Sequence, residues 1–122
     1  NSLTAAGFTK ENWPIITGQD CDIPNTVNII KGLQSMCVFK DTRTLAARTV
    51  TMVGQILSGA EVEVNNTEDY DNGVKVVPSF LCDPVFSNVD NYKEILLDSG
   101  YYSKETNPEA YAKITEAAEA AK

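Results

Sequence analysis

Asp20 and Lys40 are the residues of this 122-residue chain best suited to hold a small polar molecule. An ionised carboxylate only accepts hydrogen bonds, so Asp20 could take two from neighbouring hydroxyls, the arrangement of a sugar's vicinal diol. Lys40 brings three donors for hydroxyl oxygens and would offset the charge of Asp20 in a desolvated cleft. Gln19 could donate and accept beside them, or point into solvent. Each also has an ordinary reading. Asp20 could cap a helix that starts near Pro24, and Lys40 could be a surface lysine paired with Asp41.

Other chemistry is excluded by composition. The chain has no histidine, which removes a His general base, Ser-His-Asp and Cys-His arrangements, and His-containing zinc or haem sites. Serines are present, but only Lys40 could activate one, and no Ser-x-x-Lys motif involves it. Cys21, Cys37 and Cys82 lie far apart, without C-x-x-C spacing; they read as buried free thiols, or as one disulfide plus one free thiol. Glu68, Asp69 and Asp71 lack the ligand spacing of a calcium loop and read as a solvated turn, and no metal site or cofactor is expected. Asn65-Asn66-Thr67 fits a glycosylation sequon, a signal that matters only in a eukaryotic secretory setting. A net charge of −7 argues against nucleic acid and against anionic lipid as partners. With 43% hydrophobic and 22% charged residues the chain is of globular type, and no apolar run approaches the roughly 20 residues of a membrane span.

The elements that must place Asp20 and Lys40 can be read from pattern. Trp13 to Gly18 is an apolar run of strand length, and Gln19 and Asp20 follow it. Pro24 suits the first position of a helix, Val27, Ile30 and Leu33 recur along it, and Gly32 ends it. Ser35 to Phe39 is a second short strand that runs into Lys40. Strand, helix and strand within residues 13–39 make a βαβ crossover, hence a parallel pair. A right-handed crossover puts both strand C-termini on one edge, so Asp20 and Lys40 would sit side by side where open α/β sheets bind ligands. Trp13, at the opposite end of its strand, is expected in a core or an interface rather than stacked on a ligand.

Asp41 or Thr42 would cap a helix with Leu45, Met52, Val53, Ile56 and Leu57 as its apolar stripe and Gly59 as its stop. Arg43 and Arg48 on that helix would be solvated or ion-paired. Asp71-Asn72-Gly73 predicts a tight turn. Val74 to Cys82 then reads as the longest strand, with an edge position or a bulge at Pro78. Asp90 could cap a helix through Leu97 that stops at Gly100. Asn107-Pro108-Glu109 opens a last helix with Tyr111, Ile114, Ala118 and Ala121 along one face. The expected fold class is α/β with a partial, Rossmann-like parallel sheet over residues 1–103 and a helical tail over 104–122.

Four strings in order carry a resemblance: Thr17-Gly18-Gln19-Asp20; Phe39 to Ala46, FKDTRTLA; Tyr70 to Ser79, YDNGVKVVPS; and Leu97 to Tyr102, LDSGYY. Over residues 3–102 the chain resembles the C-terminal portion of the type I, two-lobed periplasmic sugar-binding proteins of ABC importers, in the group of the multiple-sugar receptors and xylose-binding proteins. The resemblance implies that the residues matching Asp20 and Lys40 hydrogen-bond sugar hydroxyls, with Gln19 a weaker member. It implies hinge closure on a monosaccharide without catalysis, a membrane permease as partner, and a periplasmic or lipoprotein location outside the cytoplasm. It also implies that the chain crosses between lobes just after Lys40 and returns by Tyr92, with the Val74–Cys82 strand joining the first lobe's sheet. Residues Asn1 to Gly7 read as the last turns of a helix, so the chain is expected to be a fragment. Its apolar faces would need the missing N-terminal half or self-association. Two other readings share the pattern: the sugar-sensing core of a transcription regulator, and an α/β enzyme built on Lys40.

Overall fold

A computed structural model describes residues 2–122. They form two compact units, 2–39 with 85–122, and 40–84.

In the first unit, a short helix α1 (Ser2–Ala5) comes first, and β1 (Thr17–Gln19) and β2 (Met36–Phe39) pair in parallel, Gly18 opposite Cys37, joined by α2 (Ile23–Ile30). The expected βαβ crossover is present, with a shorter first strand than the apolar run predicts. Asp22, not Asp20, caps α2: its carboxylate accepts from the Asn25 N–H at 3.0 Å. Gly32, at φ 70°, turns the chain where α2 ends. Tight packing explains Gly18. A Cβ there would lie 2.5 Å from Gln34 Nε2 and 3.2 Å from Cys37 Sγ.

A third strand, β3 (Val85–Ser87), runs antiparallel to β2 with Ser87 opposite Cys37. The sequence pattern places the long strand earlier, at Val74–Cys82. That segment makes only isolated bridges, Asp71 with Val76 and Asn66 with Ser79. Pro78 has no N–H for a ladder, and Val74 is 90% exposed, so the alternating valines have no sheet face to line. Val85–Ser87 pairs because it meets the bonding edge of β2, which its own composition does not announce.

The helix expected from Asp90 is instead a π-helical turn, Lys93–Asp98. Its entry is fixed by Asn88 and Asn91: the Asn88 N–H donates to Asn91 Oδ1 at 2.8 Å, and Asn88 Oδ1 accepts from the N–H of Asp90 and Asn91. It contributes Leu96 to a core of Cys21, Ile29, Cys37 and Phe39. The C-terminal α4 (Pro108–Ala120) packs on α2, burying Ile114 and Ala117 against Ile30 and Val27; Ala110 is buried as well. Ala110, Ile114 and Ala117 follow i, i+4 and i+7 spacing; Ile114 and the partly buried Ala118 of the predicted stripe pack into the same cluster, while Ala121 stays exposed. Small residues let the helices approach closely.

The second unit centres on α3 (Thr42–Ser58), capped by Asp41 and stopped by Gly59 at φ 71°, as its sequence predicts. Arg48 binds Glu63 at 2.7 Å and lies 3.4 Å over the Phe80 ring. Asn66 and Asp71 spend their side chains on turn N–H groups. The apolar stripe of α3 is largely uncovered among the described residues: Val53, Ile56 and Leu57 are 48%, 63% and 82% exposed, and no α3 residue is buried.

Because Ile114 is fully buried between α4 and α2, Ile114→Ala should destabilise the first unit by about 2–4 kcal/mol. Urea unfolding followed by Trp13 fluorescence measures this; a cost below about 1 kcal/mol would mean that α4 is not docked.

Candidate functional site

Where β1 ends, the backbone does something unusual. Asp20 and Cys21 have φ of 72° and 49°, two successive non-glycine residues in the left-handed region. That region costs a side chain roughly 1–2 kcal/mol, with Asp among the residues that tolerate it best. The turn is held at several points. The Asp20 N–H donates to the Val38 carbonyl at 2.8 Å, extending the parallel ladder past Gln19. Asn25 Nδ2 reaches back to the Gln19 carbonyl at 3.4 Å. The Cys21 carbonyl accepts from Thr26 Oγ1 and from Tyr102 Oη, each at 3.0 Å. Cys21 itself is fully buried, while Gln19 and Asp20 are exposed at the sheet's C-terminal edge.

Two titrations follow from burial. Desolvation, with the Cys37 thiol beside it, pushes Cys21 up to about 12, so it stays a thiol and offers no nucleophile. Burial likewise pushes Tyr102 up to about 12, so its hydroxyl keeps the proton it donates to Cys21.

Lys40 directly follows Phe39, the last residue of β2, and is the first residue of the second unit, where it is half-buried. A small cavity of about 40 Å³ is lined by Lys40, Asp41, Thr44, Leu45, Cys82 and Asp83. Asp41 is engaged by Arg43: its carboxylate accepts from the Arg43 N–H at 2.9 Å and from Nη2 at 2.6 Å. These bonds hold the Asp41 carboxyl below its ordinary value.

Gln19 and Asp20 thus leave one parallel strand and Lys40 the neighbouring one. The helix-cap reading of Asp20 fails, because Asp22 has that role. Trp13 lies at the far end of β1, where Nε1 donates to the Leu33 carbonyl at 2.9 Å and the ring lines open grooves of about 450 and 500 Å³. What the sequence reading missed are the residues that hold the turn: Asn25, Thr26 and Tyr102. Tyr102 stands in one of the four strings, but nothing in its spacing shows that it reaches Cys21.

A parallel βαβ edge that ends in exposed amide and carboxylate groups is the kind of edge at which open α/β sheets bind ligands. The chain is related, over most of its length, to one segment of the periplasmic sugar-binding proteins, as the four strings imply. The multiple sugar-binding periplasmic receptor ChvE of Rhizobium radiobacter is 47% identical over 104 residues, 84% of this chain and 29% of that protein. The multiple sugar-binding periplasmic protein SbpA of Azospirillum brasilense is 45% identical over 106 residues, 85% of this chain and 29% of that protein. The crystal structure of an ABC transporter solute-binding protein from Clostridium phytofermentans with bound β-D-glucose superimposes with a TM-score of 0.78 at 56% identity, over 86% of this chain and 32% of that one. The chain spans about three tenths of the length of the curated relatives it matches. No family model matches it.

Two outcomes test this local chemistry. The stabilisation from Asp41 is complete above its ordinary value of 3.8 and is lost as pH falls through its lowered folded value. Circular dichroism should therefore show acid loss of α3 helicity that is smaller in Asp41→Asn, and Asp41→Ala should cost about 1 kcal/mol at neutral pH. Identical acid profiles for wild type and Asp41→Asn would remove the carboxylate from this role. Among the thiols, half-buried Cys82 should react with a thiol reagent in the native state, and buried Cys21 and Cys37 only after unfolding. Native modification of Cys21 at the rate of Cys82 would contradict the packing.

Proposed function

We propose that this chain is the C-terminal portion of an extracytoplasmic sugar-binding receptor. The receptor binds a monosaccharide, closes about a hinge and delivers the sugar to the permease of an ABC importer, without catalysis. The observation that carries this reading is Asp20, exposed at the C-terminal edge of a parallel strand in a chain 56% identical to a glucose-bound solute-binding protein. Asp20 accepts from vicinal hydroxyls, Lys40 donates to hydroxyl oxygens, and Gln19 is an auxiliary contact. The break in packing between Phe39 and Lys40, and again between Pro84 and Val85, supports assigning the two units to the two lobes. The bare stripe of α3 supports a further covering surface, supplied by the N-terminal portion of the receptor or, failing that, by a second copy.

Calorimetric titration of D-glucose into a full-length receptor that carries this chain tests the assignment. Asp20→Ala and Lys40→Ala should each weaken binding by about 1–3 kcal/mol, roughly fivefold to 150-fold, because sugar hydroxyls or a buried charge are left unpaired. Unchanged affinity in both variants sinks the site. The 122-residue chain alone should bind glucose weakly or not at all, and a submillimolar dissociation constant would refute that expectation.

A further inference from the structure

The left-handed turn at Asp20 and Cys21 has an unusual support. Asp20 lies between two fixed points, its own N–H on Val38 and the carbonyl of Cys21, which carries two hydroxyl donors at once. Thr26 Oγ1 comes from α2, five residues on. Tyr102 Oη comes from 81 positions away, beyond the π-helical turn. A threonine bonding back from the first turn of a helix is local and common. A tyrosine bond from a remote segment is not explained by helix geometry.

Tyr102 is itself braced. Its N–H donates to the Leu96 carbonyl at 2.8 Å, and its ring meets Tyr101 edge-on at 5.0 Å. Tyr101 in turn stands edge-on to Phe39, the residue before Lys40, at 4.7 Å. A rigid aromatic row therefore runs from the end of β2 to the end of β1, and its last polar atom rests on the strained turn.

We propose that Tyr102 is a positioning residue for the ligand site: through its bond to the Cys21 carbonyl it holds the left-handed turn that presents the Asp20 carboxylate. The inference rests on the reading of Asp20 as a sugar contact. Tyr102 itself does not touch the sugar. Thr26 shares the task, and the pair saturates both lone pairs of one carbonyl, so the peptide between Cys21 and Asp22 cannot flip without losing both bonds. A carboxylate on an exposed, strained turn would otherwise sample other backbone states, and each would cost affinity as lost preorganisation.

The test is Tyr102→Phe, which keeps the ring and removes only the hydroxyl. Amide hydrogen exchange at Asp20, whose N–H is bonded to Val38, should quicken by about fivefold to tenfold. Exchange at Ile114, in the α2–α4 packing, should stay within about twofold, which separates a local effect from general destabilisation. Glucose affinity of a full-length receptor that carries the chain should fall by a similar fivefold to tenfold. Thr26→Val should move both readouts in the same direction. Adding Asp20→Gly, which adopts the left-handed turn without strain, should suppress the exchange effect of Tyr102→Phe while abolishing binding.

Unchanged exchange at Asp20 in both Tyr102→Phe and Thr26→Val overturns the clamp, whatever the affinity. Faster exchange with unchanged affinity overturns the positioning role. In that case Asp20→Ala separates the two failures: if it weakens binding as expected, the positioning inference alone is wrong, and if it leaves binding intact, the assignment of Asp20 to the ligand is wrong.

Discussion

The parallel pairing of Thr17–Gln19 with Met36–Val38 is the constraint on which the candidate site depends, and it is made possible by a missing side chain. Gly18 sits where any Cβ would strike the amide of Gln34 and the sulfur of Cys37. With glycine there, Gln34 folds over the strand, its Nε2 donating to the Met36 carbonyl, and Cys37 is fully enclosed. The ladder then extends one bond beyond Gln19, through the Asp20 N–H, and the left-handed turn begins at that point. Strand register, turn and carboxylate position are thus one geometric statement. Any shift of β1 by a residue would exchange its buried and exposed faces and take Asp20 away from the edge.

The two units differ in how they meet the cost of ordering a chain. The first has a contiguous apolar core, from Cys21 and Ile29 through Leu96 to Ile114, with α4 closing one side. The second is held by polar devices instead: the Asp41 cap, the Arg48–Glu63 pair with Phe80 beneath the guanidinium, and asparagine-bonded turns. Exposed pairs and turns contribute little net stability, and a stripe such as Val53, Ile56 and Leu57 normally supplies what they do not. The difference fits the proposed assignment of the two units to two lobes.

Local signals were the legible ones. Asp41 and Gly59 bound α3, Gly32 turns the chain after α2, and the Trp13–Phe39 pattern encodes the βαβ crossover, because caps, left-handed stops and apolar runs are written within a few residues. Longer-range facts were not legible. Val85–Ser87 became a strand through the free edge of β2, and Val74–Cys82 failed to become one for want of a neighbour, although its own alternation is the better β-pattern. The π-helical turn that carries Leu96 into the core is marked by no spacing rule either. At the site, the edge position of Asp20 could be deduced from topology. Its support could not be, since Tyr102 lies 81 residues away and the positive φ of a non-glycine residue leaves no mark on composition.

The absence of histidine acquires a positive meaning beside these facts. Cys21 and Tyr102, the titratable groups that line the turn from inside, are both pushed to about 12 by burial and stay neutral across the working range. Asp22, beside them, serves as a helix cap. Nothing holding the turn therefore changes charge near neutral pH, and its shape does not depend on a proton. A neutral polyol offers hydroxyl donors and acceptors but no charge to steer by, so its recognition rests on where acceptors stand rather than on field strength. On the proposed reading of Asp20 as a sugar contact, fixing its backbone with a strand bond on one side and a doubly bonded carbonyl on the other is a physical solution to that requirement.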